Sequence, residues 1–93
     1  MDFEIIHEER YQQFTAHLPH NQEAEVAYAR PEQQVLDFTH TFVPEDYRGQ
    51  GLAQQLISTA LDFARQQNCK VIATCQAVQQ FIAQNPEYQD LLD

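Results

Sequence analysis

The spacing of apolar residues changes at Pro44, and that change limits the fold more than any other feature of the chain. Before Pro44, apolar and polar residues alternate, the period that turns one face of a sheet inward. Phe3 and Ile5 start the pattern; Phe14, Ala16 and Leu18 continue it, then Ala24, Val26 and Tyr28. Leu36, Phe38, His40 and Phe42 share one phase in a segment from about Gln34 to Val43. The pattern predicts about four strands. Turn chemistry at Glu8 and Glu9, at Pro19, His20 and Asn21, and at Pro31 and Glu32 joins them into an antiparallel meander. Pro44 has no N–H for a sheet ladder and closes the last strand.

After Pro44 the period lengthens. Leu52, Leu56, Ala60 and Ala64 recur every fourth residue, flanked by Ala53, Ile57, Leu61 and Phe63, which predicts a helix over about Gln50 to Gln67 with one buried face. Val71, Ile72 and Ala73 form a short β-branched run of the kind found in a strand covered on both sides. Strand, helix and strand make a right-handed crossover, so the strands near residues 40 and 72 are expected to be parallel. Ala77, Val78, Phe81 and Ile82 repeat a helical period. Asn85 and Pro86 then read as a cap and a first-turn proline for a last helix reaching Leu92. The expected architecture is α/β (α+β): a mixed sheet made of an antiparallel meander and a βαβ crossover, followed by C-terminal helices, in one domain spanning residues 1–93.

Charge narrows the function. Five Lys and Arg against fourteen Asp and Glu leave a formal net charge of −9, which argues against a phosphate-tracking surface and so against nucleic acid as a partner. Such a field concentrates cations, amines among them, and serves equally as a solubility device. No apolar run is long enough to span a bilayer, and the start Met1, Asp2, Phe3, Glu4 lacks the basic and apolar parts of a signal peptide. A cytoplasmic protein without a membrane partner is expected. Cys69 and Cys75 do not have the spacing of a zinc or redox motif, so both are expected as free thiols and no metal is expected.

Both glycines of the chain fall in Arg48, Gly49, Gln50, Gly51, Leu52, Ala53, between a strand end and the first turn of the strongest helix. Glycine lets backbone N–H groups approach an anion, and a helix N-terminus supplies unpaired donors and the positive end of a dipole. The segment therefore reads as a phosphate cradle, with Arg48 reinforcing it, or as a tight strand-to-helix turn. It is neither a dinucleotide fingerprint, which needs glycine where Gln54 stands, nor a P-loop, which needs Gly-Lys-Ser/Thr.

Taken with the preceding strand Thr39, His40, Thr41, Phe42, Val43, Pro44, this loop resembles motif A of the GNAT superfamily of acyl-CoA-dependent N-acetyltransferases; Arg48, Gly51 and Ala53 match its signature. The whole chain is similar to a short, minimal branch of that superfamily. His40 to Pro44, Arg48 to Gly51, and Cys75 with Val78, Phe81, Pro86, Glu87 and Tyr88 correspond to the blocks of that branch. Gln76, Ala77 and Asn85 depart from it, at the end where an acceptor would bind.

The resemblance implies acetyl-CoA or CoA as the bound cofactor. The parallel strands would part, the pantetheine arm would pair with backbone near Phe42 and Val43, and the pyrophosphate would sit on Arg48, Gly49, Gln50, Gly51, Leu52 and Ala53. It implies transfer to a small amine or an exposed lysine, or, in the alternative, a CoA or acyl-CoA binding module without turnover. Cys75, at the end of the second parallel strand, is the candidate proton donor to the CoA thiolate; its other reading is a small buried apolar residue. His40 points inward by strand parity, as a core histidine or as a general base. The acceptor is not named by any residue, because the first strand connection is too short to build an acceptor wall.

Overall fold

The computed structural model describes residues 3–93. Met1 and Asp2, where the reading of the N-terminus begins, lie outside the described residues. Four strands run as an antiparallel meander, β1 (Ile5–Glu8), β2 (Gln13–Leu18), β3 (Gln22–Glu32) and β4 (Val35–Phe42). Helix α1 (Leu52–Gln66) crosses back to β5 (Lys70–Ala73), which pairs parallel to β4 as the period change predicts. The sheet is thus five-stranded in the order β1-β2-β3-β4-β5. Helix α2 (Gln76–Gln84) follows, then a 3₁₀ turn over Pro86–Leu91 in place of the expected α-helix. Asn85 does not cap that turn; its Nδ2 donates back to the carbonyl of Phe81 at 2.7 Å.

The core lies between one face of the sheet and α1. Leu52, Leu56, Ile57, Ala60, Leu61 and Ala64 form the buried stripe of α1. They pack on Phe14, Ala16, Ala24, Val26, Leu36 and Phe38, all at most 3% exposed. The last segment is fastened to α1 by polar contacts. Both terminal nitrogens of Arg65 donate to the carboxylate of Asp90, at 2.9 and 3.0 Å, and the Tyr88 hydroxyl donates to Asp62 at 2.9 Å. Leu92 bridges Val71 in parallel, and the Asp93 N–H donates to the Val71 carbonyl, so the chain end lies along the outer edge of β5.

Three expectations about the strands are corrected. Pro31 and Glu32 do not form the third turn: β3 runs through both, and the chain reverses at Gln33 and Gln34. Pro31 is tolerated because β3 has there outrun β2, whose last partner is Ala27, and because its register with β4 is irregular between Ala29 and Glu32. The run Val71–Ala73 is covered on one side only; Val71 is buried, whereas Ile72 is 36% exposed on the face opposite α1. His40 does not point inward. Phe38 pairs with Tyr28 and His40 with Ala27, so Thr39 is an extra residue in β4 and the side-chain alternation slips by one beyond it. Past this bulge Thr41 joins the α1 face, in a row with Val26, Phe14 and His7, while His40 and Phe42 are exposed on the other.

His7 closes the core near β1. Its ring stacks on Phe14 with centroids 4.2 Å apart, meets the edge of Phe63, and its Nε2 lies 2.6 Å from the Tyr28 hydroxyl. Burial is the main reason its pKa lies below the ordinary value; Glu9 opposes that shift and Arg30 adds to it. The folded state therefore takes up this proton less readily than the unfolded chain. The stabilisation it gives is present above the unfolded value of about 6.5 and is lost as pH falls through the folded value. Urea unfolding from pH 7.5 down to 5 should show a loss of stability in the wild type that is smaller in His7→Phe. Leu56→Ala, at 0% exposure in the wild type, should lower the unfolding free energy by roughly 2–5 kcal/mol in the same assay.

Candidate functional site

The strand-to-helix connection between β4 and α1 builds the site. After Pro44 the chain makes one 3₁₀ turn, Glu45–Tyr47, closed by the Tyr47 N–H donating to the Pro44 carbonyl at 2.9 Å. Gly49 and Gly51 then adopt φ of +80° and +82°. Both values lie in the left-handed region that L side chains resist, so glycine is required at each position by the backbone alone. A Cβ at either position would meet nothing within 4 Å, so the space above both is open.

Gly51 precedes the first residue of α1 and, having no side chain, caps nothing. The opening N–H groups of this 15-residue helix lack intrahelical acceptors, and no acidic residue in the first turn offsets the dipole. They face a hollow of about 380 Å³ lined by Val43, Tyr47, Arg48, Gly49, Gly51, Leu52, Ala53 and Gln54. Arg48 is held there by its Nε donating to the Val43 carbonyl at 2.9 Å, and it makes no ion pair among the described residues. In a chain with fourteen carboxylates, an unneutralised guanidinium beside an uncapped helix start is a ready partner for an anion.

The expected cradle residues take different parts in this hollow. Leu52 is 1% exposed, so its side chain belongs to the core and only its backbone can face a ligand. Gln50 is turned aside, its Nε2 donating to the Asp46 carbonyl at 3.3 Å. The Phe42 side chain lies on the opposite face of the sheet, 43% exposed, and only its backbone remains with the site. Tyr47 and Gln54 line the hollow without having been singled out from the sequence. An aromatic in the turn and a polar residue one step past the motif carry no periodic signal. A second, smaller hollow of about 120 Å³ between α1 and α2 shares Ala53 and Gln54 with the first and continues along Ile57, Ala77 and Phe81.

The second parallel strand meets the site at its C-terminal end. Pairing of β4 with β5 stops at Phe38 and Ala73, and the Cys75 N–H makes a further bond to the Phe38 carbonyl at 2.9 Å. The chain then turns into α2, while β4 runs on through Phe42, so the two strands part beyond this point. Cys75 stands at the start of α2, half-buried, with its Sγ 3.3 Å from the Thr41 hydroxyl. The bulge at Thr39 thus brings Thr41, and not His40, to the thiol. Cys69 is buried at 3% exposure with its sulfur toward the Gln67 carbonyl, away from this cleft.

Comparisons with known proteins give the family and the fold. The family model of the GCN5-related N-acetyl-transferase matches residues 13–91. Protein NATD1 of Homo sapiens is 36% identical over 83 residues, covering 88% of this chain and 74% of its own. Protein NATD1 of Danio rerio is 34% identical over 88 residues, 94% of this chain and 80% of its own. The solution structure of a GCN5-like protein from Staphylococcus aureus superposes with a TM-score of 0.77 at 27% identity, covering 98% of this chain and 88% of that one.

The loop geometry makes a direct prediction. Gly51→Ala should reduce unfolding free energy by about 1–2 kcal/mol, the cost of a Cβ in the left-handed region, since no neighbouring atom adds a clash. Chemical denaturation beside Ala53→Gly, which tests helix propensity alone, measures it.

Proposed function

The chain belongs to the GCN5-related N-acetyltransferase family, and from that premise we propose that it is an acetyl-CoA-dependent N-acetyltransferase acting on a small amine or an exposed lysine. The observation that carries this reading is the uncapped start of α1, opening with Arg48 and two positive-φ glycines onto a hollow beside parting parallel strands. Open space above Gly49 and Gly51 and an unpaired guanidinium suit a diphosphate. Bound there, acetyl-CoA would supply an acyl group already activated as a thioester.

The chain's own residues then have separable tasks. Backbone N–H groups of Leu52 and Ala53, with the Arg48 guanidinium, hold the diphosphate, and Gly49, Gln50 and Gly51 give it room. Backbone at Phe42 and Val43, at the free end of β4, holds the pantetheine arm and offers an N–H to the thioester oxygen. Cys75, bonded to Thr41, supplies the proton that a leaving thiolate takes up. His40 faces solvent on the far side of β4, so the proton that an incoming ammonium must lose passes to water rather than to this imidazole. Action in the cytoplasm, with both thiols reduced, goes with this reading, and among the described residues no helix is long and apolar enough to cross a membrane.

One observation favours the alternative of a CoA or acyl-CoA binding module without turnover. The side chain bonded to Cys75 is a hydroxyl, and His40, the candidate base, faces away from it. The readings divide on two measurements. Calorimetric titration with CoA and acetyl-CoA should show binding in the wild type and a loss of at least about tenfold in Arg48→Glu, where a charge-assisted contact becomes a repulsion; no wild-type binding ends both readings. Thiol release with an amine panel should then show turnover that drops about 100-fold in Cys75→Ala, the lower end of general-acid contributions. Binding with no release above background would leave the module.

A further inference from the structure

Among the described residues, no helix covers the face of the sheet turned away from α1. The ladder assigns its side chains without ambiguity, because directly paired residues project to the same side. One cross-strand row is Ile6, Thr15, Glu25 and Phe42; the next is Glu8, Gln13, Ala27 and His40; a third is Ala29, Asp37 and Ile72. Ile6, Phe42 and Ile72, three of the large apolar side chains left most open to solvent, all stand on this face, at 42, 43 and 36% exposure. Ile6 and Phe42 end the same row, three strand spacings or about 14 Å apart. The apolar positions are therefore spread across the sheet and interleaved with acids.

Those acids are Glu8, Glu23, Glu25 and Asp37. Glu8 is held in place, its Oε1 accepting from the buried Thr15 hydroxyl at 2.6 Å, and Thr15 in turn accepts from Gln13 at 2.7 Å. Glu25 has no hydrogen-bond or ion-pair partner among the described residues. Asp37 keeps one carboxylate oxygen, Oδ1, buried without a donor. Positive charge on the face is sparse. Lys70, at its corner, is directed to the Asp90 carbonyl, and His17 is drawn to Glu23 at 3.3 Å.

We propose that this face docks a basic, amphipathic segment of another protein. Charge complementarity selects that occupant. A second copy of the chain would bring two bodies of net charge −9 together through four carboxylates each, and an anionic membrane or a nucleic acid meets the same repulsion. A wholly apolar partner would strip water from Glu8, Glu25 and Asp37 with nothing in return. A segment that alternates cationic and apolar side chains covers Ile6, Phe42 and Ile72 while giving Glu25 a counter-charge. The surface is made of side chains that the acyl-transfer reading does not use, Phe42 contributing to that reading only its backbone, and it stands whether or not the chain turns over acetyl-CoA.

The test uses the full chain, ¹⁵N-labelled, titrated with three synthetic peptides: one alternating Lys and Leu, one alternating Glu and Leu, and one alternating Lys and Gly. The Lys-Leu peptide should shift the amides of Ile6, Glu25, His40, Phe42 and Ile72 and leave residues 52–66 of α1 unmoved. The Glu-Leu peptide should produce no shifts, and the Lys-Gly peptide should bind at least about tenfold more weakly, since it lacks the apolar half of the contact. Glu25→Lys and Ile6→Ser should each weaken the Lys-Leu peptide about tenfold, and 0.5 M salt should weaken it further. Glu25→Gln repeats the charge test should the reversal disturb the fold, which circular dichroism reads. The proposal is overturned if the shifts map to Arg48–Gln54, if Lys-Gly binds as well as Lys-Leu, if the variants bind like the wild type, or if sedimentation shows self-association through this face.

Discussion

The apolar stripe of α1 must leave water, and the sheet offers one face on which it can do so. Everything else is arranged around that contact. It draws Phe14, Val26, Leu36 and Phe38 to one side, places the start of α1 at the C-terminal end of β4, and forces β5 to return parallel to β4. With the stripe seated, the backbone between Pro44 and Leu52 has to turn in a few residues, and two positive-φ glycines make that turn. The same turn leaves the helix N-terminus uncapped. The turn that the crossover requires and the open, uncapped helix start are one feature seen from two sides.

A second constraint is a single inserted residue. Without Thr39, strict alternation would carry His40 and Phe42 into the core and leave Thr41 in solvent. With it, the strand changes face where it separates from β5, so the side chain nearest the Cys75 sulfur is a hydroxyl. The parting of β4 and β5 and the reversal of faces occur within two residues of each other. The end of β4 therefore has a packed side toward α1, an exposed side, and backbone groups beyond the reach of β5.

What could be read in the sequence follows the strength of the physical signal. The four-residue recurrence of Leu52, Leu56, Ala60 and Ala64 has no reading other than a half-buried helix, and Val71 to Ala73 after it has little other than a returning strand. The glycines were legible because turn and cradle both demand them. The bulge was not: Thr, His and Thr are tolerated on either face of a strand, so no side chain in residues 39–41 marks the slip. Ile72 misled because a β-branched residue suits a sheet surface whether or not it is covered. The bare second face was not inferred, because a continuous β-branched run reads as a strand covered on both sides even where one side meets solvent. Asn85 shows the remaining kind of error, a cap residue whose side-chain oxygen accepts no bond from the turn after it and whose Nδ2 instead donates to the Phe81 carbonyl in the helix behind it.

The isolated bridge that Leu92 makes to Val71 has a consequence beyond packing. A β-strand with an open edge is a template onto which another chain can grow, and β5 is short, apolar and parallel, a poor strand to leave uncovered. Leu92 and Asp93 occupy that edge with the chain's own backbone. The bidentate Arg65–Asp90 pair and the Lys70 bond to the Asp90 carbonyl keep them there. An exposed ion pair of this kind adds little to global stability. Its value here is colloidal: it keeps a sticky edge closed in the native state, so that loss of Asp90 would first be felt as aggregation of folded molecules.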